Sequence, residues 1–95
     1  MKIIIRVFFL SSMDNVDVWR KYFQICVSMD KERAYSGREM RDLIRNIVGV
    51  RTGSLIDSHL AYMVRQHFVN VSFDYYRVNV NIDGFYKDFL ERVSL

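Results

Sequence analysis

The strongest constraint on the fold of this chain is a change in the spacing of its apolar residues at about residue 68. Between residues 15 and 68 the apolar residues recur every three or four positions, as they do in amphipathic helices. From Val69 to Ile82 they alternate with polar residues, as they do in half-buried β-strands. Because one short chain contains both patterns, the sequence predicts an α+β fold.

Two helices are predicted before residue 50. The first covers about 15–29. The second begins at Ser36, which has the spacing of a capping box with Glu39. It ends at Gly49, since glycine adopts the left-handed backbone conformation after a helix at little cost. The charged segment 30–35 between the two helices is predicted to be exposed.

A third helix is predicted after the short segment VRTGSL. Thr52 or Ser54 is expected to cap it, and the apolar spacing extends it to about Phe68. Two helices joined by a tight turn that contains glycine are typical of the helix-turn-helix motif.

Strands are predicted on both sides of the three helices. The apolar run 3–10 favours a buried strand, and 69–82 favours a β-hairpin with its turn near Asp74 and Tyr75. A short closing helix is expected near residues 85–93. The predicted element order is therefore β-α-α-α-β-β-α.

Length and cysteine content limit the class of protein. Ninety-five residues suffice for one domain with one hydrophobic core. The single Cys26 excludes an intrachain disulfide and favours a reducing compartment. No apolar run reaches the roughly 18 residues of a membrane helix. We therefore expect a cytoplasmic protein without a membrane segment.

The charged residues favour a polyanionic partner. The net charge is +3, and ten of the fourteen basic residues are arginine. The planar guanidinium group can form bidentate hydrogen bonds to a phosphate or to the edge of guanine. The alternative at this point is a basic surface that only confers solubility.

The stretch Ser54 to Val71, SLIDSHLAYMVRQHFVNV, resembles the recognition helix and following strand of winged-helix repressors of the arsenic-sensing and multiple-antibiotic-resistance types. The pattern that these families share is matched by the pair His59-Leu60, by Met63 and by the closing pair Phe68-Val69. The tail YRVNVNIDGFYKDFL is similar to their second wing strand and the helix after it. The likeness covers about 35–90.

Two residues depart from this family pattern. His67 stands where these families usually have glycine, and Asp57 places an acid on the helix that would meet DNA. The small size of the chain also resembles the compact winged helices of archaeal viruses, which would make the host cytoplasm its compartment.

The resemblance implies one winged-helix domain over 1–95, with a three-helix core, a helix-turn-helix at about 36–68 and a hairpin wing at about 69–82. It further implies a sequence-specific protein that binds double-stranded DNA and regulates transcription, with the third helix in the major groove. The alternative is a winged-helix protein-interaction module, whose arginines would only be solvated. A steep dependence of DNA affinity on salt would distinguish the two.

The candidate DNA contacts form three groups. The groups are the third helix and the residues just before it (Arg51, Thr52, Ser54, Ser58, Tyr62, Arg65), a basic ridge on the second helix (Arg38, Arg41, Arg45) and Arg77 in the hairpin. Each group has an alternative interpretation. Ser54 could be only a helix cap, Asp42 could pair with the arginines of the ridge, and Arg77 could be a plain strand residue.

A homodimer is predicted from the surplus of apolar residues near the N-terminus. Alternate side chains of a strand point to opposite faces, so one chain would cover only half of the run 3–10. The alternative is that the closing helix covers it. The predicted dimer surface comprises Ile3, Ile5, Val7, Phe9, Trp19 and Phe23.

No catalytic or metal site is predicted. His59 and His67 are eight residues apart on one predicted helix, about 12 Å along its axis, too far to share a metal ion. His59 is expected to be a partly buried core residue, and Cys26 a small apolar one on the first helix. We therefore expect no enzyme activity, no cofactor and no small-molecule ligand.

Overall fold

The structure, a computed structural model, describes residues 15–93. These residues form four helices and a three-stranded antiparallel sheet, which confirms the predicted α+β class. Within them, no helix is both long and apolar enough to cross a membrane. The predicted strand 3–10 lies outside the described residues, as do the interface candidates Ile3, Ile5, Val7 and Phe9. The elements are α1 (Val16–Ser28), β1 (Tyr35–Ser36), α2 (Gly37–Ile47), α3 (Gly53–Arg65), β2 (Val69–Ser72), β3 (Tyr75–Val78) and α4 (Ile82–Val93).

The ends of α2 follow the prediction. The Ser36 hydroxyl accepts a hydrogen bond from the Glu39 amide, and the Glu39 carboxylate accepts one from the Ser36 amide, which completes the capping box. The bond from the Ser36 amide, together with one from Arg33, lowers the pKa of Glu39. Beyond α2, Gly49 has a φ of 87° and donates to the Arg45 carbonyl, so glycine ends this helix as expected.

The N-terminal end of α3 matches one of the two predicted alternatives, and its C-terminal end differs from the prediction. Thr52 is the N-cap, whereas Ser54 lies within the first turn and accepts a bond from the Ser58 hydroxyl through its carbonyl. The helix ends at Arg65 rather than near Phe68. The reason is His67, whose φ of 66° turns the chain out of the helix and into β2.

Segment 30–35 is not wholly exposed, because Tyr35 is buried and forms β1 with Ser36. The Tyr35 hydroxyl accepts a bond from the Asp30 amide, and the Arg33 guanidinium lies 4.2 Å from the centroid of the Tyr35 ring. These contacts fold the charged segment over the tyrosine. A strand of two residues is too short to show any periodicity in sequence.

The sheet has the order β1-β3-β2, with β3 paired to both neighbours. Val69 pairs with Val78 and Ser72 with Tyr75, so the hairpin turn is formed by Phe73 and Asp74. This turn lies one residue earlier than predicted. It has a positive φ, 57°, at Phe73, where two-residue turns usually have glycine.

One hydrophobic core joins the described elements. Aromatic rings from α1, α4 and the α3–β2 connection meet at its centre, where Phe68 contacts the rings of Trp19 and Phe23 at centroid distances of 4.9 Å. Trp19 and Phe23, predicted at a dimer surface, are both buried within the single chain. Their side chains are therefore not available to a second copy.

His59 is a buried core residue, as predicted. Its Nδ1 lies 2.6 Å from the hydroxyl oxygen of Tyr22 on α1. Burial disfavours the charged imidazole and lowers the pKa of His59.

We expect the free energy of unfolding to fall as the pH drops below about 6.5, the ordinary pKa of histidine. There the unfolded chain binds a proton at His59, which the folded chain resists because its pKa is lowered. This contribution to stability is complete above that pH and is lost below it. Urea unfolding between about pH 7.5 and 5.5 would measure it. His59→Gln should weaken the dependence, whereas His67→Gln, at an exposed position, should retain it. Equal pH dependence in all three proteins would contradict this expectation.

His67→Gly should raise the free energy of unfolding by about 0.5–1 kcal/mol, because glycine has no Cβ to clash in the left-handed region. The bond from Asn79 Nδ2 to the carbonyl of residue 67, 2.7 Å long, does not need the imidazole and should persist. The matched control is His67→Ala, which removes the imidazole but keeps Cβ. Urea unfolding should show stabilisation for glycine only, and a gain for alanine as large as for glycine would refute the backbone explanation.

Candidate nucleic-acid interface

Helices α2 and α3 form a packed pair joined by residues 48–52. Met40 and Ile44 of α2 are buried in the same core as Ile56, Leu60 and Met63 of α3. Because an amphipathic helix buries one stripe, the opposite face of each helix is exposed to solvent.

The outward face of α3 consists mainly of small side chains. Helical spacing places five exposed residues on this side of the helix, opposite the buried stripe, while the exposed Leu55 lies at its margin. Two hydroxyl groups, a methyl group, a carboxylate and a guanidinium make up this face, which consists of Ser54, Asp57, Ser58, Ala61 and Arg65. Ser54, Ser58 and Arg65 of the predicted contacts thus lie together.

Tyr62 does not belong to this face. Its side chain is only 6% exposed, and its hydroxyl accepts a hydrogen bond from Nε1 of Trp19 over 3.1 Å. An aromatic ring of this size gains more from burial against α1 than from solvent. Its prediction as a DNA contact is therefore corrected to a core residue.

The predicted basic ridge exists on the exposed face of α2, but two of its members form ion pairs. Arg45 donates to Asp42 over 2.8 Å, which realises one of the alternatives open from the sequence. Arg41 donates through Nε to Asp57 of α3, also over 2.8 Å. Asp57 raises the pKa of Arg41 through this bond.

The pair between Arg41 and Asp57 changes the charge of the α3 face. Asp57 is the only acidic residue of α3, and alone it would repel phosphate. With the guanidinium of Arg41 against it, the pair has no net charge. The positive charge of Arg65 on the same helix is then left without an acidic competitor on α3.

Three arginines of the α2–α3 pair, namely Arg38, Arg51 and Arg65, have no ion pair within residues 15–93. Arg51 precedes α3 and shares an open groove with Arg45 and Gly49. Arg65 is the last residue of α3, and a helix of 13 residues is about 20 Å long. Guanidinium groups without an ion pair among the described residues therefore lie at both ends of the outward face, although that of Arg65 also lies 5.9 Å from the centroid of the Tyr62 ring.

The N-terminus of α3 is open to an anion. Thr52 makes no side-chain capping bond, and the first turn contains no acidic residue among those described. The amide groups of this turn carry the positive end of the helix dipole. At the N-terminus of α2, by contrast, the capping box of Ser36 and Glu39 supplies hydrogen-bond acceptors for backbone amides.

Arg77 is engaged elsewhere. Its Nη1 donates to the carbonyl oxygen of Glu32 over 3.1 Å, so it ties the segment before β1 to the sheet. This matches the alternative of a plain strand arginine better than that of a wing contact.

Neither Cys26 nor His59 forms a reactive centre. Burial raises the pKa of the Cys26 thiol to about 12, so the thiol stays protonated. His59 is held by Tyr22 in the core. Residues 15–93 contain no cluster of three or more side chains suited to a metal ion.

Two features of this surface could not be predicted from the sequence. The pair Arg41 and Asp57 joins residues 16 positions apart on different helices, so no local spacing reveals it. Phe73, at the hairpin tip, is 96% exposed. Only an exact hairpin register would have placed Phe73 in the turn.

Comparisons of the chain with protein-family models, with curated proteins and with solved structures give no match. The function of this surface must therefore be argued from its geometry and charge.

Proposed function

We propose that this chain is a winged helix-turn-helix protein that binds double-stranded DNA in a sequence-specific manner and regulates transcription. In this proposal α3 enters the major groove, α2 crosses the backbone beside it and the β2–β3 hairpin is the wing. The observation that carries the proposal is the outward face of α3, which Arg51 and Arg65 flank without acidic partners and whose one acid is neutralised by Arg41.

The shape of α3 supports this placement. Ser54, Ser58 and Ala61 are small, so the helix axis can approach the floor of a groove closely. The serine hydroxyls can donate to phosphate or to base edges, and Arg65 is long enough to reach either.

The phosphate contacts would come from both ends of the helix pair. Arg51 lies beside the open N-terminus of α3, where backbone amides favour an anion. Arg38 projects from the exposed face of α2 and would follow the adjacent strand of phosphates, whereas Arg45 would first have to leave its ion pair with Asp42. Such contacts fix the register on the duplex, whereas base contacts supply the specificity.

The proposal includes a homodimer, because two-fold DNA sites are normally met by two-fold proteins. The apolar run 3–10 would supply the contact between copies, without Trp19 and Phe23, which the core already holds.

The test is a titration of labelled random-sequence duplex with the full chain, followed by selection of the bound fraction. The logarithm of the affinity should fall linearly with the logarithm of salt concentration, by about 0.9 per phosphate contact. Sedimentation of the selected complex should show two chains per duplex. Binding that is absent, or that is indifferent to salt, would refute the DNA proposal and favour the protein-interaction module.

A further inference from the structure

The tip of the hairpin exposes a large apolar side chain on an unfavourable backbone. Phe73 is 96% exposed and has a φ of 57°. A non-glycine residue is disfavoured in this region, and an exposed aromatic ring gains no burial that would offset the strain. Residues in sparsely populated backbone regions cluster at functional sites.

Phe73 follows an apolar strip on β2. Val69 and Val71 share one face of this strand, and the exposed fraction rises from 0% at Val69 to 43% at Val71 and then to 96% at Phe73 in the turn. Tyr76 of β3 pairs with Val71. The strip therefore begins in the core and leaves it toward the tip.

The strip approaches the α3 face near Gly37. The side chains of Arg41 and Tyr76 both lie close to this glycine, where a Cβ atom would be 3.7 Å from Nη1 of Arg41 and 3.9 Å from Cε1 of Tyr76. Arg41 in turn donates to Asp57 on the outward face of α3. A duplex seated on α3 would thus lie beside the wing.

The tip lacks the charge that a phosphate contact needs. Asp74 follows Phe73 in the turn, and an acid there would repel the DNA backbone. The phenyl ring is the group that remains to make contact. Apolar side chains of proteins that bind the minor groove frequently enter between base pairs, which unstacks one step and bends the duplex by about 20–90°.

We propose that Phe73 is an apolar wedge that inserts between two base pairs in the groove adjacent to α3 and bends the DNA. The proposal rests on the proposed DNA-binding function. The favoured step is a pyrimidine–purine step, because such steps are the easiest to unstack. Specificity at that step would come from deformability rather than from hydrogen bonds to bases.

The experiment uses a duplex of about 30 base pairs recovered by selection with the wild-type chain. One copy carries donor and acceptor dyes at its ends to report bending, and a set of copies carries 2-aminopurine at successive positions to report unstacking. The proteins are the wild type, Phe73→Ala, Phe73→Leu, Asp74→Asn and Arg65→Ala.

The wild type should bend the duplex by about 20° or more and raise 2-aminopurine emission at one step. Phe73→Ala should abolish both signals and weaken binding about tenfold, and Phe73→Leu, which keeps a wedge, should restore part of both. Asp74→Asn should tighten binding and keep the bend. Arg65→Ala should weaken binding while the remaining complex stays bent.

The failures of the two proposals are distinguishable. A wild type that does not bind duplex overturns both. A wild type that binds with the salt dependence of phosphate contacts, but bends DNA no more than Phe73→Ala does, overturns the wedge alone. The same holds if Phe73→Ala keeps the emission signal.

Discussion

Replacing both Arg51 and Arg65 by alanine should reduce the affinity for the selected duplex about 10- to 100-fold or more. The two guanidinium groups lie at opposite ends of α3 and have no ion pair within the described chain, so their loss leaves no buried acid unpaired. An arginine that holds a base edge contributes about 1–3 kcal/mol of discrimination, and one that holds a phosphate adds about one to the salt slope.

The single variants separate these roles. Arg65→Ala should relax the preference at one base position if Arg65 reads a base, and should weaken all sequences alike if it binds phosphate. Arg51→Ala, beside the open N-terminus of α3, should mainly lower the salt slope.

The matched control for the double variant is Arg20→Ala, which removes the same charge from α1. Arg20 is exposed and shares a groove with Asp17, Lys21 and Tyr86, and no residue of α3 lines this groove. Competition titrations should show near wild-type affinity for the control. Equal affinity of the double variant and the wild type would refute the assignment of α3 as the recognition helix.

Phe68→Ala should lower the free energy of unfolding by about 3–5 kcal/mol, a large part of the roughly 5–15 kcal/mol that stabilises a domain of this size. Phe68 has no exposed surface and follows the left-handed residue His67. Removing its ring leaves a cavity that rigid neighbours cannot fill. The rings around it belong to Trp19, Tyr22, Phe23 and Phe85, at centroid distances of 4.9, 5.1, 4.9 and 5.2 Å.

The same substitution at Phe73 is the control for Phe68→Ala, because it removes an equal side chain from solvent. Urea unfolding should show a much lower midpoint for Phe68→Ala and almost no loss for Phe73→Ala. Similar losses for the two variants would contradict the position of Phe68 at the centre of the core.

Much of the fold could be predicted because its signals are local. Ser36, Glu39 and Gly49 act on backbone groups within one helical turn, and the structure has each in its expected role at α2. The apolar spacing of α3 likewise indicates one buried face with Ile56, Leu60, Met63 and Val64, of which the first three are buried and Val64 is half-buried. The prediction that Tyr62 is an exposed DNA contact was wrong, because a tyrosine at the margin of that face can be either buried or exposed, depending on the residues that pack against it.

The sequence by itself indicated the helices and the β2–β3 hairpin of residues 15–93 and which residues of each are apolar, since these properties depend on neighbours within a few positions, but it did not indicate the two-residue strand β1. Only the tertiary structure decided which polar groups meet. The pairing of Tyr35 with Tyr76, the bond of Trp19 to Tyr62 and the ion pair of Arg41 with Asp57 each join different elements. The chain must fold before these groups approach, so the free charges of the α3 face could not be read from residue types alone.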